Sequence, residues 1–183
     1  NPADWKKVKP ALLACKEANI PVFNVDTMVY DTDLVVSIIA SDNYNAGVQC
    51  AKDMMSKLES ANIVILDQPI INSITQRIQG FKNTIKDNPD YGVIVQQAAR
   101  GELEVAMEVM NHIIESGVAF DVVMGGNDPT ALGALAALES HHKTGDILIY
   151  GVDGSPDGKM MIKEGYLEGT SAQYPSDMGK IAA

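Results

Sequence analysis

An α/β fold, built from open parallel sheets flanked by helices, is predicted by three features of the sequence. Short Val/Ile-rich runs alternate with helix-like segments of about 10–15 residues, the rhythm of right-handed βαβ units. The runs are continuously apolar rather than alternating, as strands are when helices cover both faces of a sheet. Four of them stop at a lone acidic or amide residue: IPVFNV runs into Asp26, NIVIL into Asp67, VVMGG into Asn127 and ILIYGV into Asp153. Sheets of this kind bind ligands at the carboxyl ends of their strands. These hydrogen-bonding groups are therefore expected to face one crevice.

The elements follow in order. A helix is expected over residues 3–17. Residues 20–25 read as a strand, with Pro21 at its start, where a missing N–H is tolerated. A second strand covers 34–40 (LVVSIIA). Residues 45–58 read as a helix, with apolar or small residues at Ala46, Val48, Ala51, Met54, Met55 and Leu58. Strands at 63–66, 93–97, 121–124, 147–152 and 169–173 then alternate with helices at 73–85, 102–115, 130–138 and 159–164, and the chain ends in another helix-like stretch. Two helix starts are marked. Asp128-Pro129 offers a capping carboxylate beside a proline at the first helical position, and Ser155-Pro156 does the same with a hydroxyl. On that reading Asn127 and Asp153 lie just ahead of the caps, at strand tips.

Composition narrows the function. The 183 residues are 46% hydrophobic and 21% charged, a balance that suits a globular core. A net charge of -10 argues against nucleic acid, whose phosphates demand a basic surface, and against an anionic membrane face. Aromatics at 5% do not make a base-stacking platform. Cys15 and Cys50 lie in helix-like segments and read as small buried apolar residues. No run has the length of a membrane-spanning helix. The abrupt opening at Asn1-Pro2 and the ending inside a helix are read as those of a fragment or mature piece.

Chemistry-bearing motifs are mostly missing. There is no G-x-S-x-G elbow, no P-loop and no G-x-G-x-x-G. His112 lies mid-helix and His141-His142 at a helix end, where imidazoles complement the dipole. Asp153, Ser155, Asp157, Gly158 and Glu164 match the spacing of a calcium loop, but they follow a strand rather than a helix, and Pro156 suits a helix start. No metal or cofactor is expected. Asp26 and Asp153 would suit glycoside hydrolysis if one were a general acid, yet nothing marks either as one. Two carboxylates with Arg77, in the run QRIQGF, describe plain sugar binding equally well. A guanidinium fork donates two parallel hydrogen bonds and so matches vicinal hydroxyls.

Several stretches, in this order, carry a family resemblance: Asn1-Pro2, Ile20-Pro21-Val22 leading to Asp26, Ala40-Ser41-Asp42-Asn43, Arg77-Ile78-Gln79-Gly80-Phe81, Asn127-Asp128 with Ala131-Leu132-Gly133-Ala134-Leu135, the run from Gly151 to Gly158 (GVDGSPDG), and Ala172-Gln173 before Pro175. Over essentially its whole length the chain resembles the type I periplasmic sugar-binding proteins of ABC transporters, in the ribose-binding branch. The resemblance implies two α/β lobes joined by a hinge. Residues 1–41 would be part of the first lobe, incomplete in this chain; 42–172 would be the second, and 173–183 a return toward the first. It also implies a non-enzymatic, extracytoplasmic protein, periplasmic or a cell-surface lipoprotein, that binds a neutral monosaccharide or polyol and delivers it to an ABC permease. Asp26, Arg77, Asn127, Asp153 and Gln173 match the family's ligand-binding positions. Thr27 and Gly101 stand where the ribose pattern has an arginine and a phenylalanine, so the sugar is expected to differ from ribose in size or stereochemistry. Asp67 matches no binder and is expected to cap its loop near Pro69. The effector-binding core of a LacI-type transcription regulator shares the same fold and is the alternative.

Overall fold

The computed structural model describes residues 2–183. Helix α1 covers Lys9–Glu17, starting later than residue 3. Pro10 lacks an N–H and its ring clashes with the carbonyl four residues back, so the helix body cannot extend far ahead of it. The preceding residues form turns, pinned where the Asp4 carboxylate accepts hydrogen bonds from the backbone N–H groups of Lys6 (3.0 Å) and Lys7 (3.2 Å). Strands β1 (Phe23–Val25) and β2 (Ser37–Ile39) pair in parallel as a small two-stranded sheet. β2 is shorter than expected because a 3-10 turn, Thr32–Leu34, takes up its start.

The remaining elements alternate: α2 (Asn43–Lys57), β3 (Ala61–Asp67), α3 (Asn72–Ile85), β4 (Tyr91–Ala98), α4 (Leu103–Glu115), β5 (Val122–Gly125), α5 (Asp128–Ser140), β6 (Leu148–Asp153), α6 (Pro156–Lys163), β7 (Gly169–Ala172) and α7 (Pro175–Ala182). Strands β3 to β7 form one all-parallel sheet in the order β4-β3-β5-β6-β7. α7 returns to the small sheet and packs on β1 and β2.

The middle of the five-stranded sheet is covered on both faces, which explains the continuous apolar runs of β3, β5 and β6. Ile63, Ile65, Val122, Met124 and Tyr150 face α2 and α3, meeting Met54, Ile78 and Phe81. The intervening Val64, Leu66, Val123 and Ile149 face α4 and α5, meeting Met110, Leu135 and Leu138. Each such fully buried side chain contributes about 1.5–3 kcal/mol.

One helix contact is unusually close. A Cβ at Gly47 of α2 would lie 1.8 Å from the carbonyl oxygen of Arg77 in α3, and a Cβ at Gly80 of α3 would lie 2.0 Å from the carbonyl oxygen of Tyr44. Only glycine lets these two backbones touch, and the contact brings the start of α2 against Arg77.

The cap of α5 differs from expectation. Asn127, not Asp128, is the N-cap, and its Oδ1 accepts from the backbone N–H of Thr130 at 3.0 Å. Asn caps as well as Asp, and this assignment still leaves Pro129 in the first turn. It also releases the wholly buried Asp128 carboxylate for a second duty. That carboxylate accepts hydrogen bonds from the Ser155 N–H (2.7 Å) and the Thr170 hydroxyl (2.5 Å), tying down the loop after β6. Ser155 caps α6 as expected, accepting from the Gly158 N–H at 3.0 Å.

Candidate functional site

The strand order reverses between β3 and β5: one connection leads outward to β4, the next to β5 and β6 on the other side. Such a reversal opens a crevice beyond the carboxyl ends of the strands. A cavity of about 420 Å³ sits there, lined by Pro2, Ala3, Asp26, Thr27, Gln68, Ile71, Ser73, Ile74, Arg77, Asn127, Asp153 and Gln173. Its volume lies in the range of small-molecule sites. All five residues expected to bind ligand line it. Asp67 does not: its carboxylate turns to β4 and accepts from the Gln96 side chain at 2.5 Å, so the expectation of a loop cap near Pro69 fails. Side chains alternate along a strand, and it is the next residue, Gln68, that faces the crevice.

Arg77 is the centre of the site. It lies on the first turns of α3 and is 3% exposed. Nε donates to Asn43 Oδ1 at 2.9 Å, and Nη1 donates to the Gly126 carbonyl at 2.9 Å. Nη1 also lies 3.3 Å from Asp153 Oδ1. Burial pulls its pKa down, while Asp153, Asp26 and Asp128 oppose that fall and keep the cation favoured.

Asp153 ends β6 with φ 145, in the region that favours glycine. Residues held in such backbone cost about 1–3 kcal/mol and persist only where the surroundings over-determine them. Here the surroundings are Gln173, whose N–H donates to the Asp153 carbonyl at 2.9 Å and whose Nε2 donates to Oδ1 at 2.6 Å. Burial raises the Asp153 pKa above the usual carboxylate range, and Arg77 and Gln173 offset only part of the rise. Asp26, just beyond β1, also has positive φ, at 75; a short polar side chain tolerates that conformation.

Asn127 is committed to the protein. Its Oδ1 caps α5 and accepts from the Thr130 hydroxyl at 2.6 Å, while Nδ2 donates to the Gly101 carbonyl at 3.1 Å. Gly101 has φ 70, and a Cβ there would lie 2.7 Å from Gln68 Oε1. The absence of a side chain at 101 thus lets the Gln68 and Asn127 side chains pack against its backbone. Across the crevice the hydroxyls of Thr27 and Ser73 share a hydrogen bond at 3.1 Å, both residues buried.

Three participants, Asn43, Ser73 and Gln68, are not marked as binders by the sequence, and of these only Asn43 lies in a stretch that carries the family resemblance. Asn43 is a polar residue in the first turn of a helix, where solvent exposure is the rule, and only the tertiary contact buries it. Ser73 is a common first-turn residue. Gln68 was within reach, one residue beyond a recognised strand tip.

The fold and crevice define a class: an α/β protein with a polar crevice at the strand tips, between a large parallel sheet and a small one. Residues 1–183 match the family described as the periplasmic binding protein domain, and the chain belongs to that family. It is 32% identical over 182 residues to the ribose import binding protein RbsB of Salmonella typhimurium, covering 98% of this chain and 60% of that protein. It is 32% identical to the xylitol-binding protein of Mycolicibacterium smegmatis, covering 94% of this chain and 50% of the other. Among solved structures it resembles an ABC transporter solute-binding protein of Agrobacterium vitis with bound D-fucose, with a TM-score of 0.91 and 27% identity over 99% of this chain and 64% of that one. The chain thus spans about 50–60% of the length of these curated relatives.

Proposed function

We propose that this chain is the ligand-binding part of an extracytoplasmic solute-binding protein that captures a neutral monosaccharide or polyol for an ABC importer. The observation that carries the proposal is the polar set around one cavity. Asp26, Arg77, Asn127, Asp153 and Gln173, with Gln68, present carboxylate, guanidinium and amide groups together. Sugar hydroxyls both donate and accept, and such a mixed set meets both needs. Its members also hydrogen-bond one another, so they are pre-organised. Relatives named for ribose, D-apiose and xylitol support the ligand class.

In this reading residues 1–41 and 173–183 belong to a first lobe and 42–172 form the second. The exposed apolar Phe23, on the small sheet, and Val36, just before β2, suit one edge of a larger layer. The crossings near Ser41 and Gln173 form the hinge, and closure buries the ligand between lobes. The protein holds its ligand without transforming it, acts outside the cytoplasm, and hands the ligand to a membrane permease. Isothermal titration calorimetry of the full-length protein against D-ribose, D-allose, xylitol and myo-inositol tests this. Saturable binding of at least one is expected, and a flat response to the whole panel, extended to other pentoses, hexoses and polyols, sinks the proposal.

A further inference from the structure

Behind the crevice wall five residues close a ring. The Ser41 hydroxyl donates to Gln173 Oε1 at 3.0 Å. Gln173 Nε2 donates to Asp153 Oδ1 at 2.6 Å. That same oxygen lies 3.3 Å from Arg77 Nη1. Arg77 Nε donates to Asn43 Oδ1 at 2.9 Å, and Asn43 Nδ2 donates to the Ser41 carbonyl at 3.1 Å. Two of the five, Ser41 and Asn43, do not line the crevice but face a separate cavity on the other side of the wall.

We infer that Asn43 and Ser41 are positioning residues, which fix the orientation of Arg77, Asp153 and Gln173 and so couple both chain crossings to ligand binding. The ring takes up Nε and Nη1 of Arg77 and one oxygen of Asp153. In the sugar-binding reading the two side chains so held are the ones that meet a ligand diol. A guanidinium on a long stem has much rotamer freedom to lose; one clamped at Nε has lost it before the ligand arrives, and pre-organisation of this kind adds affinity. Ser41 lies just past β2 and Gln173 just past β7, on the two segments that connect the small sheet to the large one. A rotation of one sheet against the other must strain or break the ring, so the ligand geometry and the crossing geometry are read together.

The inference rests on the sugar-binding reading, and the test separates the two. Full-length Asn43→Ala, Asn43→Asp and Ser41→Ala are titrated with whichever of D-ribose, D-allose, xylitol and myo-inositol binds the parent protein. Hydrogen exchange of the Arg77 Nε–H is followed by NMR in each variant without ligand. Asn43→Ala is expected to weaken binding about tenfold or more and to speed Nε–H exchange, because a hydrogen bond to a charged donor is lost. Asn43→Asp keeps the acceptor and is expected to recover most of both losses. Ser41→Ala is expected to weaken binding severalfold, and the double variant Ser41→Ala/Asn43→Ala to show less than the product of the two effects, since both break one ring. Unchanged Nε–H exchange in Asn43→Ala overturns the inference whether or not a sugar binds. Failure of the parent protein to bind any sugar removes the functional reading, while the exchange data still decide the ring.

Discussion

Replacing Gly47 with alanine tests whether the close contact of α2 and α3 builds the site. The added Cβ would sit 1.8 Å from the Arg77 carbonyl oxygen, 2.7 Å from its carbon and 2.8 Å from the Phe81 nitrogen. All three are backbone atoms, so no side chain can turn aside. Real Cβ atoms essentially never approach within 3.0 Å, and the helices must therefore separate by about 1.2 Å at this point. The strain of overpacking costs about 1–3 kcal/mol. The same movement stretches the 2.9 Å bond from Arg77 Nε to Asn43 beyond useful range, a further loss of about 1.5–3 kcal/mol for a charged donor. The total of about 2.5–6 kcal/mol corresponds to a fall in melting temperature of roughly 5–24 °C at this chain length. Circular dichroism melts of Gly47→Ala and of Gly179→Ala make the comparison. A Cβ at Gly179 meets nothing within 4 Å, so that variant should melt at or slightly above the parent temperature. If Gly47→Ala melts within about 2 °C of the parent, the close contact does not set the helix spacing and the argument for Arg77 placement fails.

Three other outcomes are expected. Arg77→Lys keeps the charge but loses the planar fork, and should weaken sugar binding about tenfold or more by calorimetry, with the chain still folded. Asp128→Ala strips the acceptor from the Ser155 N–H and the Thr170 hydroxyl, both held by a wholly buried carboxylate; urea unfolding should show a loss of about 2–4 kcal/mol. Asp153 has a raised pKa from burial, so the folded state holds its proton more tightly than the unfolded chain. Its contribution to stability is greatest in acid, declines as pH rises from the ordinary carboxylate range through the raised folded value, and is flat above. Denaturation midpoints of the parent and Asp153→Asn, in buffers from about pH 3 to 7, should differ in slope in that direction; identical slopes refute it.

The centre of the large sheet was legible because β3, β5 and β6 are buried on both faces. Ile63 to Leu66, Val122 to Met124 and Ile149 to Val152 are continuous apolar runs that no exposed element tolerates, and the intervening helices carry apolar residues at helical spacing. The small sheet was less so. There the strands have only three residues each, and turn chemistry at Pro21 and in the 3-10 turn competes with extension. The start of α1 was misplaced for a related reason: periodicity continued through residues 3–8, but the lone proline at position 10 set the boundary.

The site shows a different limit. A polar residue at a strand tip announces itself only by type, and type does not say which way it points. Asp67 and Gln68 are adjacent, yet the first, at the end of β3, bonds to Gln96 of β4 and the second, just past the strand, lines the crevice. Asn127 lines the crevice, yet its oxygen caps a helix and its amide nitrogen holds Gly101. In the proposed reading it would meet a ligand as a fixed wall group rather than a free amide. Most of the organisation comes from residues that touch no ligand in this reading: Gly47 and Gly80 by their missing side chains, Asn43 by its bond to Nε, Asp128 by anchoring the loop beyond Asp153. Each is an ordinary residue for its element and becomes informative only when two segments far apart in the chain are brought together. A binding residue can be guessed from its functional group, whereas the residues that aim it are defined by distances that exist only after folding.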